Sequence, residues 1–250
     1  MLYIIGLGLG WKDLSMKALE AISECQEIYL EIFTSKSDFT TLQLQRLLGK
    51  PVHELDRKQV EEDKPFLEEA DVKNVALLVY GDPLAATTHQ EILLLAKKQD
   101  IKVKVVHAPS IFTAVAETGL SLYRFGKVTS IPITSEGFKP ESFFDILLEN
   151  QKIDAHTLFL LEIKTEENEA LTIPEAIKML LYISKKRNSN VFTEESPCIG
   201  AARLGTDTAI MKAASATELT KADFGGPPQV LIVPAKLNHK EEEYVKEYRK

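Results

Sequence analysis

The sequence predicts an α/β protein, and three observations predict it. Short apolar runs rich in β-branched residues, at Leu2–Ile5, Ile28–Phe33, Val75–Tyr80 and Val103–Val106, are bounded by turn or polar residues and read as strands. Between them apolar residues recur at helical spacing: Leu14, Ala18, Ile22 and Cys25 form one stripe, Ile92, Leu95 and Ala96 another. Helix-start signals also recur along the chain. Alternation of this kind argues for a largely parallel sheet covered by helices.

The elements follow in order. Leu2–Ile5 runs straight into Gly6-Leu7-Gly8-Leu9-Gly10. This N-terminus has neither a basic segment nor a small-residue cleavage site, so it reads as a strand and turn rather than a secretion signal. Ile28–Phe33 carries one acid, Glu31, which reads as a charge at a sheet edge. Val75–Tyr80 ends in Gly81-Asp82-Pro83-Leu84, and Thr88-His89-Gln90-Glu91 fits a capping box ahead of the next apolar run. Val103–Val106 leads into Ala108-Pro109-Ser110-Ile111, where Pro109-Ser110 reads as an N-cap for a helix over Ile111–Thr118.

Gly119–Gly126 breaks the pattern, which places a boundary near residues 119–129 and divides the chain into domains 1–124 and 125–250. Beyond it, strands are expected at Val128–Ile133, Thr157–Ile163, Cys198–Ala202 and Val230–Pro234, and helices near 142–150 and 174–187. Ser142-Phe143-Phe144-Asp145 fits a capping box. So does Thr172-Ile173-Pro174-Glu175, with Pro174 in the first turn, where its missing N–H costs nothing. The charged tail Lys240–Lys250 reads as a solvated terminal helix.

Composition narrows the function classes. A chain of 250 residues, 44% hydrophobic and 27% charged, builds its own core without a disulfide or metal staple. A net charge of −7 argues against a surface for duplex nucleic acid, which needs clustered Lys and Arg. Cys25 and Cys198 are far apart and form no C-x-x-C pair, so they read as small buried hydrophobes. No apolar run approaches the roughly 20 residues of a membrane span. The sequence therefore points to a soluble cytoplasmic chain.

Three loops carry the chemistry. The glycines of Gly6–Gly10 let backbone approach a ligand and adopt positive φ. A dinucleotide-binding loop would continue as G-x-G-x-x-G, but Trp11 stands at the third glycine position, which counts against a nicotinamide-dependent oxidoreductase or binding module. Glu31 lies where such a fold would place an acid for a ribose hydroxyl, inside an apolar run. Gly81-Asp82-Pro83 follows a strand, where ligands of open α/β sheets bind, and its acid can accept hydrogen bonds from ribose or amine groups. The Ala108–Ile111 junction offers helix-start N–H groups that suit a carboxylate. Together the loops predict a small-molecule cleft at the carboxyl ends of three strands.

Other chemistries leave no trace. His53, His89, His107, His156 and His239 form no H-x-x-x-H or H-E-x-x-H pair, so no metal site is expected. No G-x-S-x-G elbow or P-loop occurs. His89, beside two threonines at a helix start, reads as a structural hydrogen-bonding residue.

The chain resembles the diphthine synthases, a branch of the tetrapyrrole-methylase-like methyltransferases, along nearly its whole length. The resemblance rests on Tyr3-Ile4-Ile5-Gly6-Leu7-Gly8-Leu9, on Tyr80-Gly81-Asp82-Pro83 with Ala86-Thr87-Thr88-His89, and on Pro109-Ser110-Ile111. It continues through Leu160-Leu161-Glu162-Ile163-Lys164, Ala202-Arg203-Leu204-Gly205 and Pro227-Pro228-Gln229-Val230-Leu231-Ile232-Val233-Pro234. The glycine loop and Gly-Asp-Pro belong to the wider class, and Ala-Thr-Thr-His points to the diphthine branch.

The resemblance implies two α/β domains of the tetrapyrrole methylase type, with S-adenosyl-L-methionine in the cleft between them, and a homodimer. It implies cofactor contacts, largely through backbone, at Leu9, Asp82, Ala85, Ser110 and Ile111 in the first domain and at Leu161, Leu204 and Gln229 in the second. The implied acceptor is the amino group of a 3-amino-3-carboxypropyl histidine on translation elongation factor 2, methylated repeatedly to diphthine. The same class includes methyltransferases of tetrapyrroles and of ribosomal RNA, the nearest alternative. Gln229 stands where relatives are expected to carry His, and Lys236-Leu237-Asn238-His239 departs slightly from the family's usual ending. Glutamine does not titrate near neutral pH, so an obligatory base at 229 is not expected. Methyl transfer then rests on positioning, with no single catalytic side chain.

Overall fold

The computed structural model describes residues 1–34 and 39–248. The chain forms two compact units, one spanning Met1–Ala114 and the other beginning at Val115.

In the first unit strands and helices alternate: β1 (Leu2–Gly6), α1 (Met16–Ser23), β2 (Glu27–Glu31), α2 (Thr41–Leu48), β3 (His53–Leu55), α3 (Pro65–Ala70), β4 (Val75–Val79), α4 (Gln90–Lys98), β5 (Val103–Val106) and α5 (Ile111–Ala114). The strands form one sheet in the order β3-β2-β4-β1-β5, with every pair parallel. Parallel strands need crossovers, and the helices supply them on both faces. Leu2, Ile4, Val75, Leu77 and Val79 pack with Phe66 and Leu67 of α3 and with Ile92 and Ala96 of α4. Tyr3, Ile5, Ala76 and Leu78 face the other way, onto Ala18 and Ile22 of α1 and Leu44 of α2. Burial on both faces explains why β4 reads as the unbroken run Val-Ala-Leu-Leu-Val.

The second unit contains β6 (Thr129–Ile131), α6 (Ser142–Lys152), β7 (Thr157–Leu161), β8 (Ile163–Lys164), β9 (Glu169–Ala170), α7 (Ile173–Lys186), β10 (Pro197–Ala202), β11 (Ile210–Ser215), α8 (Ala216–Leu219), β12 (Gln229–Val233) and α9 (His239–Lys246). Its main sheet, β11-β10-β12-β7-β6, is mostly antiparallel, and only β6 and β7 run parallel. β10 and β11 follow each other through a short link, which permits only an antiparallel pair. Phe143, Phe144 and Leu147 of α6 and Ile173, Ile177 and Leu180 of α7 share a core with Phe159, Leu161 and Leu231 of the sheet.

Helix starts divide by chemistry. Thr172 and Glu175 form the expected capping box at α7, and Thr40 with Gln43, Ser215 with Glu218 and Asn238 with Glu241 form three more among the described residues. The boxes expected at Thr88 and Ser142 do not form. His89 is the N-cap of α4 and Glu141 that of α6, neither with a side-chain cap, because Ser142 is already inside its helix. The terminal helix is anchored as well as solvated. Glu241 and Val245 are buried, and residues 249 and 250 of that tail lie outside the described residues.

Candidate functional site

The three loops of the first unit interlock at the carboxyl ends of β4, β1 and β5, which are adjacent strands. Gly8 and Gly81 exchange main-chain hydrogen bonds, N–H of 8 to O of 81 at 3.2 Å and N–H of 81 to O of 8 at 2.8 Å. A Cβ on Gly6 would lie 2.6 Å from the Gly81 carbonyl oxygen, 2.8 Å from Ala108 Cβ and 3.0 Å from Pro83 Cδ, so only glycine lets the loops close on one another. Gly8 and Gly81 both have positive φ, at 80° and 70°.

The acids here bind the protein's own backbone. Asp13 Oδ2 accepts the N–H groups of Leu9 and Gly10 at 2.9 and 3.0 Å, which holds the glycine loop in shape. Asp13 lies outside the expected site residues; an acid three and four residues beyond those amides is the signal that marks it. Asp82 Oδ1 accepts the N–H of Leu84 at 3.0 Å, and its Oδ2 accepts the N–H of Ala108 at 3.1 Å and lies 2.8 Å from Nδ1 of His107. Asp82 thus ties the β4 turn to the β5 turn. The expected N-cap at Ser110 is a main-chain arrangement: Ser110 O accepts the N–H groups of Thr113 and Ala114 at 3.0 and 2.9 Å. The four-residue α5 then passes into a 3₁₀ turn at Val115–Thr118.

Glu31 departs furthest from expectation. It is fully buried rather than a sheet-edge charge, because β2 lies inside the sheet between β3 and β4. Its Oε2 lies 2.7 Å from Nε2 of His89, which is also buried, and His89 Nδ1 lies 3.0 Å from the Pro83 carbonyl. Burial works against a charge on His89, but the Glu31 hydrogen bond, the Glu31 charge and the Pro83 carbonyl outweigh it, and the pKa is raised.

Five of the eight expected contact positions, Leu9, Asp82, Ala85, Ser110 and Ile111, belong to these turns or border them. The Ala85 N–H is held by the Asp82 carbonyl at 3.1 Å. The other three gather at one end of the second unit's sheet. Gln229 pairs with Ala202 across β12 and β10, Leu161 ends β7 beside it, and Leu204 follows β10. Gln229 is buried with both polar atoms in use. Its Oε1 accepts the N–H of Ile173 at 2.9 Å, and its Nε2 donates to the Gly225 carbonyl at 2.7 Å. Glu162 Oε2 accepts the Ile133 N–H at 2.6 Å. Both cysteines are buried and free, and burial pushes both thiol pKa values up, that of Cys25 to about 11.

The sequence pattern of the Tetrapyrrole (Corrin/Porphyrin) Methylases matches residues 1–220. The chain is 38% identical over 250 residues to the diphthine synthase of Methanothermobacter thermautotrophicus, with 99% of this chain and 95% of the relative covered. It is 37% identical over 267 residues to the diphthine methyl ester synthase of Eremothecium gossypii, covering 99% of this chain and 90% of that one. A crystal structure of diphthine synthase superposes with a TM-score of 0.90 at 36% identity, covering 100% of this chain and 96% of the other.

Proposed function

The chain belongs to the tetrapyrrole (corrin/porphyrin) methylase family, and on that premise we infer that it is an S-adenosylmethionine-dependent methyltransferase of diphthamide biosynthesis. Its substrate is translation elongation factor 2, and its acceptor is the 3-amino-3-carboxypropyl group built on a histidine of that protein. The observation that carries this reading is the interlocking of the Gly6–Gly10, Gly81–Pro83 and Ala108–Ser110 turns at neighbouring strand ends. Ligands of parallel α/β sheets bind at such ends.

The turns fit a nucleoside sulfonium donor. Gly6, Gly8 and Gly81 carry no side chain, and the carboxylates of Asp13 and Asp82 are turned onto main-chain N–H groups, so the loops present mainly backbone. Leu9, Asp82, Ala85, Ser110 and Ile111 are the proposed donor contacts of the first unit, and Leu161, Leu204 and Gln229 those of the second. When bound, S-adenosylmethionine supplies a methyl group already activated for displacement. The residues of this chain orient the acceptor, and orientation can lower a barrier by up to about 7–11 kcal/mol. Withdrawing the acceptor ammonium from water favours its neutral, nucleophilic form. Gln229, spent on Ile173 and Gly225, is an anchor rather than a base.

The enzyme works as a homodimer in the cytoplasm; among the described residues no helix is long and apolar enough to cross a membrane. Mass spectrometry of elongation factor 2 incubated with the enzyme and methyl-labelled S-adenosylmethionine tests the function. Label on the modified histidine is expected; label only on a tetrapyrrole or a ribosomal RNA overturns it. One relative's name specifies a methyl ester. Loss of one label on mild alkaline hydrolysis would reveal a carboxylate as a further acceptor.

A further inference from the structure

The Glu31–His89 pair is a buried ionisable group that methyl transfer does not use directly. The Pro83 carbonyl can only accept, so His89 Nδ1, at 3.0 Å, carries a hydrogen. Nε2 then faces Glu31 Oε2 at 2.7 Å. Were the ring neutral and the carboxylate ionised, two lone pairs would meet at that distance in a site where neither side chain reaches solvent. A proton on that line turns the contact into an attractive one. Glu31 Oε1 is occupied by the N–H and hydroxyl of Thr34, the N–H at 3.0 Å, which fixes the carboxylate. Glu61 is the other acid whose field reaches the ring, and it favours the same protonated state.

A buried ion pair is a poor way to gain stability, since apolar residues of similar volume often serve as well or better. This one has a specific load. The Pro83 carbonyl accepts from both His89 and the Thr87 hydroxyl, the latter at 2.9 Å. Between Pro83 and Thr87, Ala86 is held at φ 57°, a left-handed conformation that a residue with a Cβ rarely adopts. Such a turn keeps its shape only when its surroundings over-determine it.

We propose that Glu31 and His89 form a positioning unit for the donor loop. Their shared proton locks the imidazole, the imidazole locks the Pro83 carbonyl, and the Gly81–Ala85 turn is thereby kept in the one shape that receives the methyl donor. This rests on the reading of that turn as part of the donor site.

Calorimetric titration with S-adenosylmethionine, the Michaelis constant for elongation factor 2, and ¹⁵N NMR of the ring test it. In the wild type the His89 ring should hold its second proton to higher pH than a free imidazole does. H89A should weaken donor binding by about 10- to 100-fold, the scale of a lost hydrogen bond to a charged group, while the constant for the elongation factor stays nearly unchanged. E31Q should keep near-wild-type affinity with a neutral ring, because the Gln amide can donate to Nε2. If H89A fails to fold, E31A is read in its place, with the same loss expected. Donor affinity in H89A within a factor of about two of wild type, or affinity in E31Q as low as in H89A, overturns the proposal. A wild type that does not bind S-adenosylmethionine overturns the functional reading instead.

Discussion

The carboxylate of Asp82 accepts the main-chain N–H of Ala108 at 3.1 Å, and through that bond the turn after β4 and the turn after β5 hold each other. D82A removes it together with the bonds to Leu84 and His107. Donor affinity should fall by about 10- to 100-fold, since hydrogen bonds to a charged group contribute roughly 1.5–3 kcal/mol. The helices and sheet should persist by circular dichroism. Unchanged affinity would mean the donor binds elsewhere.

Two glycines should respond differently to the same change. G6A drives a methyl group to 2.6 Å from the Gly81 oxygen, a backbone atom that cannot move aside. It should cost about 1–3 kcal/mol and lower Tm by roughly 3–10 °C. At Gly81 the nearest atom to an added Cβ is 3.9 Å away, so G81A meets only the penalty of its positive φ, about 1–2 kcal/mol. Thermal unfolding of the pair checks the order.

Glu241 gives the fold an acid-sensitive fastening. Burial opposes its ionisation, but N–H groups of Asn238 and Ser121, together with His156, overcome it and hold its pKa down to about 2. Arg124 also binds the carboxylate. A carboxylate whose pKa is lower folded than unfolded adds stability above its unfolded pKa. That stability fades as pH falls through the folded value. Glu241 should therefore contribute about 3 kcal/mol at neutral pH, lost between roughly pH 4.5 and pH 2. Denaturant unfolding across that range should show E241Q less stable than wild type at pH 7, the two converging in acid.

Q229A strands the Ile173 N–H at the start of α7 and the Gly225 carbonyl. A loss of about 1–3 kcal/mol is expected. The pH profile of the saturated rate should keep its wild-type shape, since Gln229 holds no proton to exchange. A profile that moves with Q229A would give this position a part in the chemistry.

Much of this was readable from sequence because local rules coincide with global ones. β1, β2, β4, β5, β7, β10 and β12 declare themselves as short apolar runs bounded by turn or polar residues, and the three turns through Gly, Asp and Pro at strand ends. β11, Ile-Met-Lys-Ala-Ala-Ser, has one β-branched residue and no alternation, so pairing with β10 creates the strand. β3 is three residues at a sheet edge, and α2 buries only Leu44. Glu31 was misread because strand order decides whether β2 is an edge, and order is a long-range property. His89 was rightly expected to bond structurally, but its partner lies 58 positions away by the numbering of Glu31 and His89. The tail looked solvated because its anchor, Glu241, is polar.

The paired bonds between Gly8 and Gly81 also bear on ancestry. Two chain segments joined by a closed ring of atoms must keep matching lengths. An extra residue in either would break both bonds at once and pull apart turns some seventy positions distant in the chain. Descendants of this fold should therefore insert and delete elsewhere, or change both turns in step.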